Sequence, residues 1–262
     1  VIVDGYNSPH GFSLKPSHAK MLEKADLVIW VGEDLEAFLE KPLETIAKKA
    51  KNIELMDLKG IKKLDFREKN IFEEHDDHKE HDDHKEKDAH EGHHHGEHDP
   101  HVWLDPINAK VIVKEITKEL IKLDSSNSSI YKSNSNKALA ELDKLIKDIK
   151  NDLNKDLRFV VFHDAYQYFE NRFGIQVLGS LTINPDVKPG AEQLSEIREI
   201  IEHEKVNCLF SEPQFNPAII KSIAKDMKIK TGILDPLGAK LDKGKDLYFN
   251  LLKNMSTSFK GC

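Results

Sequence analysis

Short apolar runs alternate with amphipathic stretches on both sides of one long polar segment. On the amino-terminal side the apolar runs are DLVIWVG at 26–32 and NIELMDL at 52–58, each bounded by polar residues or glycine. Runs of this length predict buried strands, and the stretches between them predict helices. Because strands that alternate with helices usually form parallel sheets, the pattern favours an α/β fold.

Helical patterns in this half of the chain lie at 17–24 and 33–49, and Pro42 is expected to interrupt the second. An Asp-Pro pair at 105–106 supplies a helix cap followed by proline at the first helical position. We therefore predict an amphipathic helix from this pair through Leu123.

The same alternation resumes in the carboxyl-terminal half. Predicted strands lie at 158–162, 175–181, 206–211 and 230–234. Predicted helices lie at 164–173, 191–204, 217–227 and 245–259. This half therefore predicts a second α/β unit with a parallel sheet.

The long polar segment at 128–154 carries apolar residues that mostly recur every three or four positions, which predicts one helix with a single buried stripe. We predict an amino-terminal α/β lobe at 1–123, a connecting helix at 124–155 and a carboxyl-terminal α/β lobe at 156–262. Ligands of open parallel sheets collect beyond the carboxyl ends of the strands, so the cleft between the lobes is the predicted binding site.

Residues 73–99 contain nine histidines and twelve acidic residues, partly as the tandem hexapeptide EHDDHK at 74–79 and 80–85. Imidazole and carboxylate bind borderline divalent metals, and few apolar residues are present to fold the run. We predict a disordered loop with weak auxiliary metal sites. Its histidines are His75, His78, His81, His84, His90, His93, His94, His95 and His98.

This run accounts for the net charge of −7 of the 262-residue chain, and the remainder carries a small positive balance. A body of mixed charge offers no basic face for nucleic acid, and no apolar run reaches the 18 residues or more of a membrane span. We predict a soluble body. No signal peptide is visible and the first residue is Val1, so we expect a targeting segment to have been removed or left out.

Metal-competent side chains follow three predicted strands of the carboxyl-terminal half: His163, Glu212 and Asp235. On the amino-terminal side, His10 precedes GFSLKP and His101 lies within DPHVWLDP. The three histidines and one carboxylate would complete a tetrahedral site.

Each of these residues also has a structural interpretation. A lone histidine is more often a core or surface residue than a ligand, and both acids precede a proline where a helix cap is common. For Glu212 we favour the cap. His90, Glu91 and His94 match the H-E-x-x-H pattern of zinc proteases, but Gly92 opposes the helix which that pattern requires.

Several strings of the chain together resemble one known family. They are NSPHGFSLKPSHAKMLEKADLVIWVG, HVWLDPINA, VVFHDAYQYFENRFG, INPDVKPGAEQL, SEPQFNP and ILDPLGAKL, with the acidic histidine-rich insertion before HVWLDP. In order and spacing they are similar to the zinc-uptake solute-binding proteins of bacterial ABC transporters, the periplasmic ZnuA type. The similarity covers nearly the whole chain outside the insertion.

The resemblance implies two lobes joined by one long rigid helix, with Zn²⁺ held between them by histidines that match His10, His101 and His163. The aspartate before PLG matches Asp235, and some members have an acid where this chain has Pro9, so we expect Asp235 or water as the fourth ligand. Manganese-binding relatives place a glutamate at the position of His163. A third imidazole favours zinc over an oxygen-seeking ion.

The resemblance also implies a periplasmic, monomeric receptor that delivers zinc to a membrane permease and catalyses no reaction. It matches Cys208 and Cys262 to a disulfide; the residues alone leave two free thiols as an equal alternative. Pairing would imply an oxidising compartment. Relatives usually begin with a strand and a helix ahead of Val1, so we expect the amino-terminal lobe to lack these elements.

Two other functions remain open from the sequence. A zinc hydrolase would use three histidines and leave one position for an activated water. A metal buffer or interaction protein would bind the ion without any permease partner.

Overall fold

The computed structural model describes residues 1–67, 69–72, 98–154, 156–185 and 187–262. Within these ranges the chain forms two parallel sheets with helices packed against them. None of the helices in these ranges has the length and apolarity needed to cross a bilayer. The predicted loop at 73–99, apart from its last two residues, lies outside the described residues, and so do its predicted metal sites from His75 to His95.

The amino-terminal lobe is built around a two-stranded parallel sheet. Its elements are α1 (Pro16–Glu23), β1 (Leu27–Trp30), α2 (Glu33–Glu36), α3 (Glu40–Thr45), β2 (Lys51–Glu54) and α4 (Pro106–Leu123). Leu27 lies opposite Lys51 in the register. The buried side chains of Leu22 in α1 and Leu43 in α3 pack in one cluster with Val28 of β1.

The predicted helix at 33–49 is broken, but the expected place of the break was wrong. A 3₁₀ turn at Ala37–Leu39 separates α2 from α3. Pro42 lies in the first turn of α3, where a backbone N–H has no partner within the helix and its loss therefore costs little. Pro42 thus belongs to the start of a helix.

The carboxyl-terminal lobe contains a four-stranded parallel sheet in the order β4-β3-β5-β6. Its elements, with the long helix first, are α5 (Ser128–Asp152), β3 (Phe159–His163), α6 (Gln167–Phe173), β4 (Val177–Thr182), α7 (Ala191–His203), β5 (Cys208–Ser211), α8 (Ala218–Met227), β6 (Lys230–Ile233) and α9 (Leu247–Gly261). Every residue of β3 and β4 is buried, as expected for strands covered on both faces. All six predicted strands are present.

Helix α5 is the long helix between the two sheets. Its buried stripe includes Leu142, Leu145 and Ile149, and the helix packs on α4 and α9. At its start, the Asp124 carboxylate accepts hydrogen bonds from the side chains of Ser126, Asn127 and Tyr131. The predicted fold class, two lobes with parallel sheets flanked by helices and a long helix between them, is confirmed.

A short segment, residues 65–67 and 69–72, leads from the amino-terminal lobe to the edge of the carboxyl-terminal sheet; we call it the stem. Ile71 forms an antiparallel bridge with Gly179 of β4. A Cβ at Gly179 would lie 2.7 Å from the backbone oxygen of Asn70, so glycine permits this close approach. The chain returns at His98, which bridges to Asp65. Residues assigned by sequence to the amino-terminal lobe therefore contact the carboxyl-terminal sheet.

The disulfide between Cys208 and Cys262 joins β5 to the end of α9, with a Cα–Cα distance of 5.6 Å. Helix α9 also buries Met255 and Phe259 against the sheet. The alternative of two free thiols, which the sequence left open, is therefore wrong.

Candidate metal centre

Three histidines that are far apart in the sequence meet in the cleft between the lobes. His163 is the last residue of β3, His101 precedes the 3₁₀ turn that leads into α4, and His10 lies in a turn ahead of α1. One nitrogen from each ring lies within 4.8 Å of the other two. The geometry is that of a three-nitrogen metal site.

The backbone fixes His163 because β3 is an interior strand of the sheet, paired with β4 on one side and β5 on the other. His163 lies opposite Thr182 at the carboxyl end of β4. Its side chain lines the cleft at the carboxyl end of the sheet, where ligands of parallel sheets collect.

Two carboxylates orient two of the imidazole rings. The Nδ1 of His101 lies 2.7 Å from Asp99 Oδ1, and the Nδ1 of His163 lies 2.7 Å from Glu212 Oε1. All four side chains are buried. Each Nδ1 donates its hydrogen to a carboxylate, which leaves each Nε2 directed into the cleft, as in carboxylate–histidine–zinc arrangements.

The two Nε2 atoms of His101 and His163 are 3.3 Å apart. Two nitrogens bound to a tetrahedral zinc ion at about 2.0–2.1 Å are separated by about 3.3 Å. The pair is therefore already spaced for the ion. Without an ion, a single proton between the two nitrogens satisfies both.

Electrostatics assign that proton to His163. Burial disfavours its charged form, but the adjacent Glu212 carboxylate, together with Asp164 and Asp99, outweighs burial and raises the pKa of His163. Burial, together with the nearby His163, holds the pKa of His101 well below its usual value. A charged His163 can thus donate from Nε2 to a neutral His101, and a metal cation would replace the proton.

His10 has a different environment. It is half-buried, and its ring centroid lies 5.6 Å from that of His101 and 5.5 Å from that of His163. Its backbone N–H donates to Ser8 Oγ. His10 therefore closes the open side of a pair that the carboxyl-terminal wall supports.

Glu212 has a role that the sequence did not predict correctly. We favoured a helix cap, but α8 begins only at Ala218, and the Glu212 carboxylate instead accepts hydrogen bonds from His163 and from the Tyr166 hydroxyl. Its other oxygen, Oε2, is buried without a hydrogen-bond partner among the described residues. Asp99 was also missed, although an acid two residues before His101 in DPHVWLDP was an available signal.

Asp235 does not belong to the group of ligand atoms brought together in the described part of the chain. Its Oδ1 accepts hydrogen bonds from Gln214 Nε2 at 2.9 Å, from Leu237 N at 3.2 Å and from Gly238 N at 2.9 Å. The carboxylate thus stabilises the turn after β6. Its predicted role as fourth ligand stays a prediction.

Aromatic side chains form the walls of the cleft. The Trp103 ring lies 5.3 Å from that of His101, and its Nε1 donates to the backbone oxygen of Pro236. The Phe215 ring lies 5.9 Å from that of His163. Trp103 therefore joins the approach to α4 with the turn after β6, directly beside the histidines.

Three acids of the framework behind the histidines are buried. Burial raises the pKa of Asp99 to about 7 and that of Asp164 to about 6. Burial also raises the pKa of Glu170 to about 7, although the adjacent Arg67 opposes the shift. A cation in the cleft would lower the cost of these charges.

Comparison with known proteins gives consistent results over the full chain. A family model described as ZnuA, zinc-uptake complex component A, periplasmic, matches residues 1–262. The high-affinity zinc uptake system protein ZnuA of Brucella abortus (strain 2308) is 43% identical, over 100% of this chain and 84% of the relative. The protein of the same name from Yersinia pestis is 40% identical, over 97% and 81%.

Solved structures show the same fold. A crystal structure of ZnuA superposes with a TM-score of 0.80 at 25% identity, covering 100% of this chain and 89% of that chain. A mutant of the laminin-binding adhesin Lmb from Streptococcus agalactiae gives a TM-score of 0.75 at 24% identity, covering 98% and 89%. At that identity the second match shows the fold alone.

Proposed function

This chain belongs to the family of periplasmic zinc-uptake complex component A proteins, and we propose that it captures Zn²⁺ and delivers it to the membrane permease of an ABC transporter. The observation that carries the proposal is the pair of carboxylate-oriented imidazoles with their Nε2 atoms 3.3 Å apart. The relatives named above are zinc-uptake proteins, which supports transport over catalysis.

In this proposal His101 and His163 form the preorganised half of the site, and His10 supplies the third nitrogen. Because the pair is already spaced for a tetrahedral ion, binding requires little rearrangement of the carboxyl-terminal wall. Binding replaces the shared proton with the metal, so zinc capture releases a proton. Release to the permease would begin with His10, which is half-buried and is presented by a turn.

Three imidazole ligands determine which metal ion the site prefers. Nitrogen donors in a tetrahedral arrangement suit zinc, whereas manganese prefers more oxygen ligands in an octahedral arrangement. The fourth ligand is Asp235 or water. Because Asp235 lies outside the group of ligand atoms that the described residues bring together, and its Oδ1 is used in the turn after β6, we favour water.

The partner and compartment follow from the same proposal. We propose that the protein acts in the periplasm as a monomer and docks on the permease. The disulfide between Cys208 and Cys262 supports an oxidising compartment. The histidine-rich segment at 73–97 lies outside the described residues, and its auxiliary role in metal binding stays a prediction.

The test is a zinc titration in competition with a strong chelator. The full chain should show one tight site, which is lost when His10, His101 and His163 are together replaced by alanine. A chain that lacks residues 73–97 should keep the tight site. If tight binding disappears with that segment and survives in the triple variant, the assignment of the cleft is wrong.

A further inference from the structure

Arg67 lies in the stem and reaches two buried acids of the carboxyl-terminal lobe. Its Nη1 donates to Asp164 Oδ1 at 2.8 Å and to Glu170 Oε1 at 3.1 Å, and its Nη2 donates to Glu170 Oε2 at 2.9 Å. The guanidinium also lies 3.9 Å above the ring of Phe72. The geometry is a two-pronged clamp that a planar guanidinium forms and an ammonium group does not.

The acids that Arg67 holds belong to the framework of the metal site. Asp164 directly follows His163 at the end of β3, and its backbone N–H donates to Thr182 of β4. Glu170 lies on α6 and also accepts a hydrogen bond from the backbone N–H of Val177, at the start of β4. The clamp therefore fixes α6 relative to the strand end that carries His163.

Helix α6 holds the other histidine as well. The Tyr168 hydroxyl donates to the backbone oxygen of Asp99 at 2.7 Å, and Gln167 Nε2 lies 3.5 Å from Asp99 Oδ2. Asp99 orients His101. His101 is thus tied to α6 through Asp99, and His163 is tied to α6 through Asp164 and Arg67.

We propose that Arg67 is a positioning residue for the metal site, which keeps His163 at the distance from His101 that a tetrahedral zinc ion requires. This proposal rests on the proposed function. A loosened clamp would let the two Nε2 atoms separate, and the site would then lose its preference for zinc over ions of higher coordination number. Arg67 contacts neither histidine ring through any hydrogen bond in the described part of the chain, so it acts through Asp164 and α6.

Arg172 lies on α6, the helix that also carries Glu170, and offers a matched control. Its Nε and Nη2 donate to the two oxygens of Asp105, each at 2.7 Å. The Arg172 side chain is 29% exposed and that of Arg67 is 23% exposed, so the two clamps are similarly buried. Asp105 caps α4, and its carboxylate hydrogen-bonds to no histidine among the described residues.

The experiment compares R67K with R172K, which both keep the positive charge and lose the two-pronged contact. Zinc affinity is measured by chelator competition, site geometry by the ligand-field absorption of bound Co²⁺, and selectivity by the ratio of zinc to manganese affinity. We expect R67K to bind zinc about tenfold more weakly, as for other residues that support metal ligands, with an altered Co²⁺ spectrum and a lower zinc preference. R172K should keep wild-type values in all three.

Wild-type zinc affinity and an unchanged Co²⁺ spectrum in R67K would overturn the proposal, and so would equal losses in R67K and R172K. If R67K does not fold, E170Q weakens the same clamp from the other side without a change in volume. It must shift affinity and spectrum in the same direction, and unchanged values would overturn the proposal. Absence of tight zinc binding in the wild-type chain would instead contradict the proposed function.

Discussion

The two sides of the metal cleft are built differently. The carboxyl-terminal side presents His163 on an interior strand and, through Asp99 and α6, also holds His101; both rings are buried and both have a carboxylate at Nδ1. The amino-terminal side presents His10 from a turn, half-buried. In the proposed site, one wall is arranged for the ion before it arrives, and the other supplies the third nitrogen.

A metal receptor must bind its ion tightly and must also release it, and the two sides of the cleft suit these two tasks. Affinity benefits from ligands that are already oriented, since no free energy is then needed to order them. Release requires that at least one ligand can leave without disruption of the fold. The buried pair meets the first requirement and His10 meets the second, so ligand substitutions on the two sides should differ in their effect on stability.

The largest expected effect comes from His163→Ala compared with His10→Ala. Loss of any one zinc ligand should weaken binding by about hundredfold or more, since about 10–16 kcal/mol of binding free energy is shared among the ligands. In the metal-free state, H163A also leaves the Glu212 carboxylate buried without its charged partner. We expect a loss of about 3 kcal/mol in the free energy of unfolding.

H10A should keep the metal-free stability within about 0.5 kcal/mol, as for other partly exposed positions. Thermal or denaturant unfolding in the presence of a chelator measures both variants. If the two substitutions destabilise the metal-free protein equally, the two walls do not differ in the way described above.

The next effect is the pH dependence of zinc binding. Since Glu212 raises the pKa of His163, the proton that zinc must displace stays bound to a higher pH than in an ordinary histidine. Apparent zinc affinity should therefore fall as pH falls through this raised pKa, by up to about tenfold per pH unit for one displaced proton. Chelator competition between about pH 8 and about pH 6 measures the slope.

The same shifts predict an opposite trend in stability without metal. A raised folded-state pKa of His163 contributes stability that is present below the unfolded pKa of about 6.5 and is lost as pH rises. The pKa values of about 7 for Asp99 and Glu170 act in the same direction, because burial disfavours their charged forms. The lowered pKa of His101 acts the other way, but it is one group against three. Stability of the metal-free protein that is constant or increases from about pH 6 to about pH 8 would contradict this assignment of the protons.

The elements that the sequence predicted well are those with local signals. Buried parallel strands form continuous apolar runs, so all six strands were predicted, and with them the position of His163 at a strand end. The Asp105 cap and the following proline predicted the start of α4 in the same way. His163 and His101 lie beside such local signals, whereas His10 only precedes GFSLKP and was supported by the family resemblance.

The supporting contacts have no local signal. Arg67 meets Glu170 across 103 positions in the sequence, and Glu212 meets His163 across 49. The pairing of Ile71 with β4 depends on a close approach at Gly179 that only the folded backbone reveals. Pro42 is compatible both with a helix break and with a first helical turn, and only the structure shows that it lies in the first turn of α3.

The smallest expected effect comes from Asp235→Asn, which tests whether the carboxyl-terminal wall also supplies the fourth ligand. Asparagine keeps an oxygen that can accept the hydrogen bonds from Gln214, Leu237 and Gly238, so the turn after β6 should be retained. If water fills the fourth position, zinc affinity should fall by less than about tenfold, since only a nearby charge is lost. A loss of about hundredfold, with the metal-free stability unchanged, would assign Asp235 to the ion. In that case the prepared wall would hold three of the four ligands, and His10 would be the single ligand from the opposite wall.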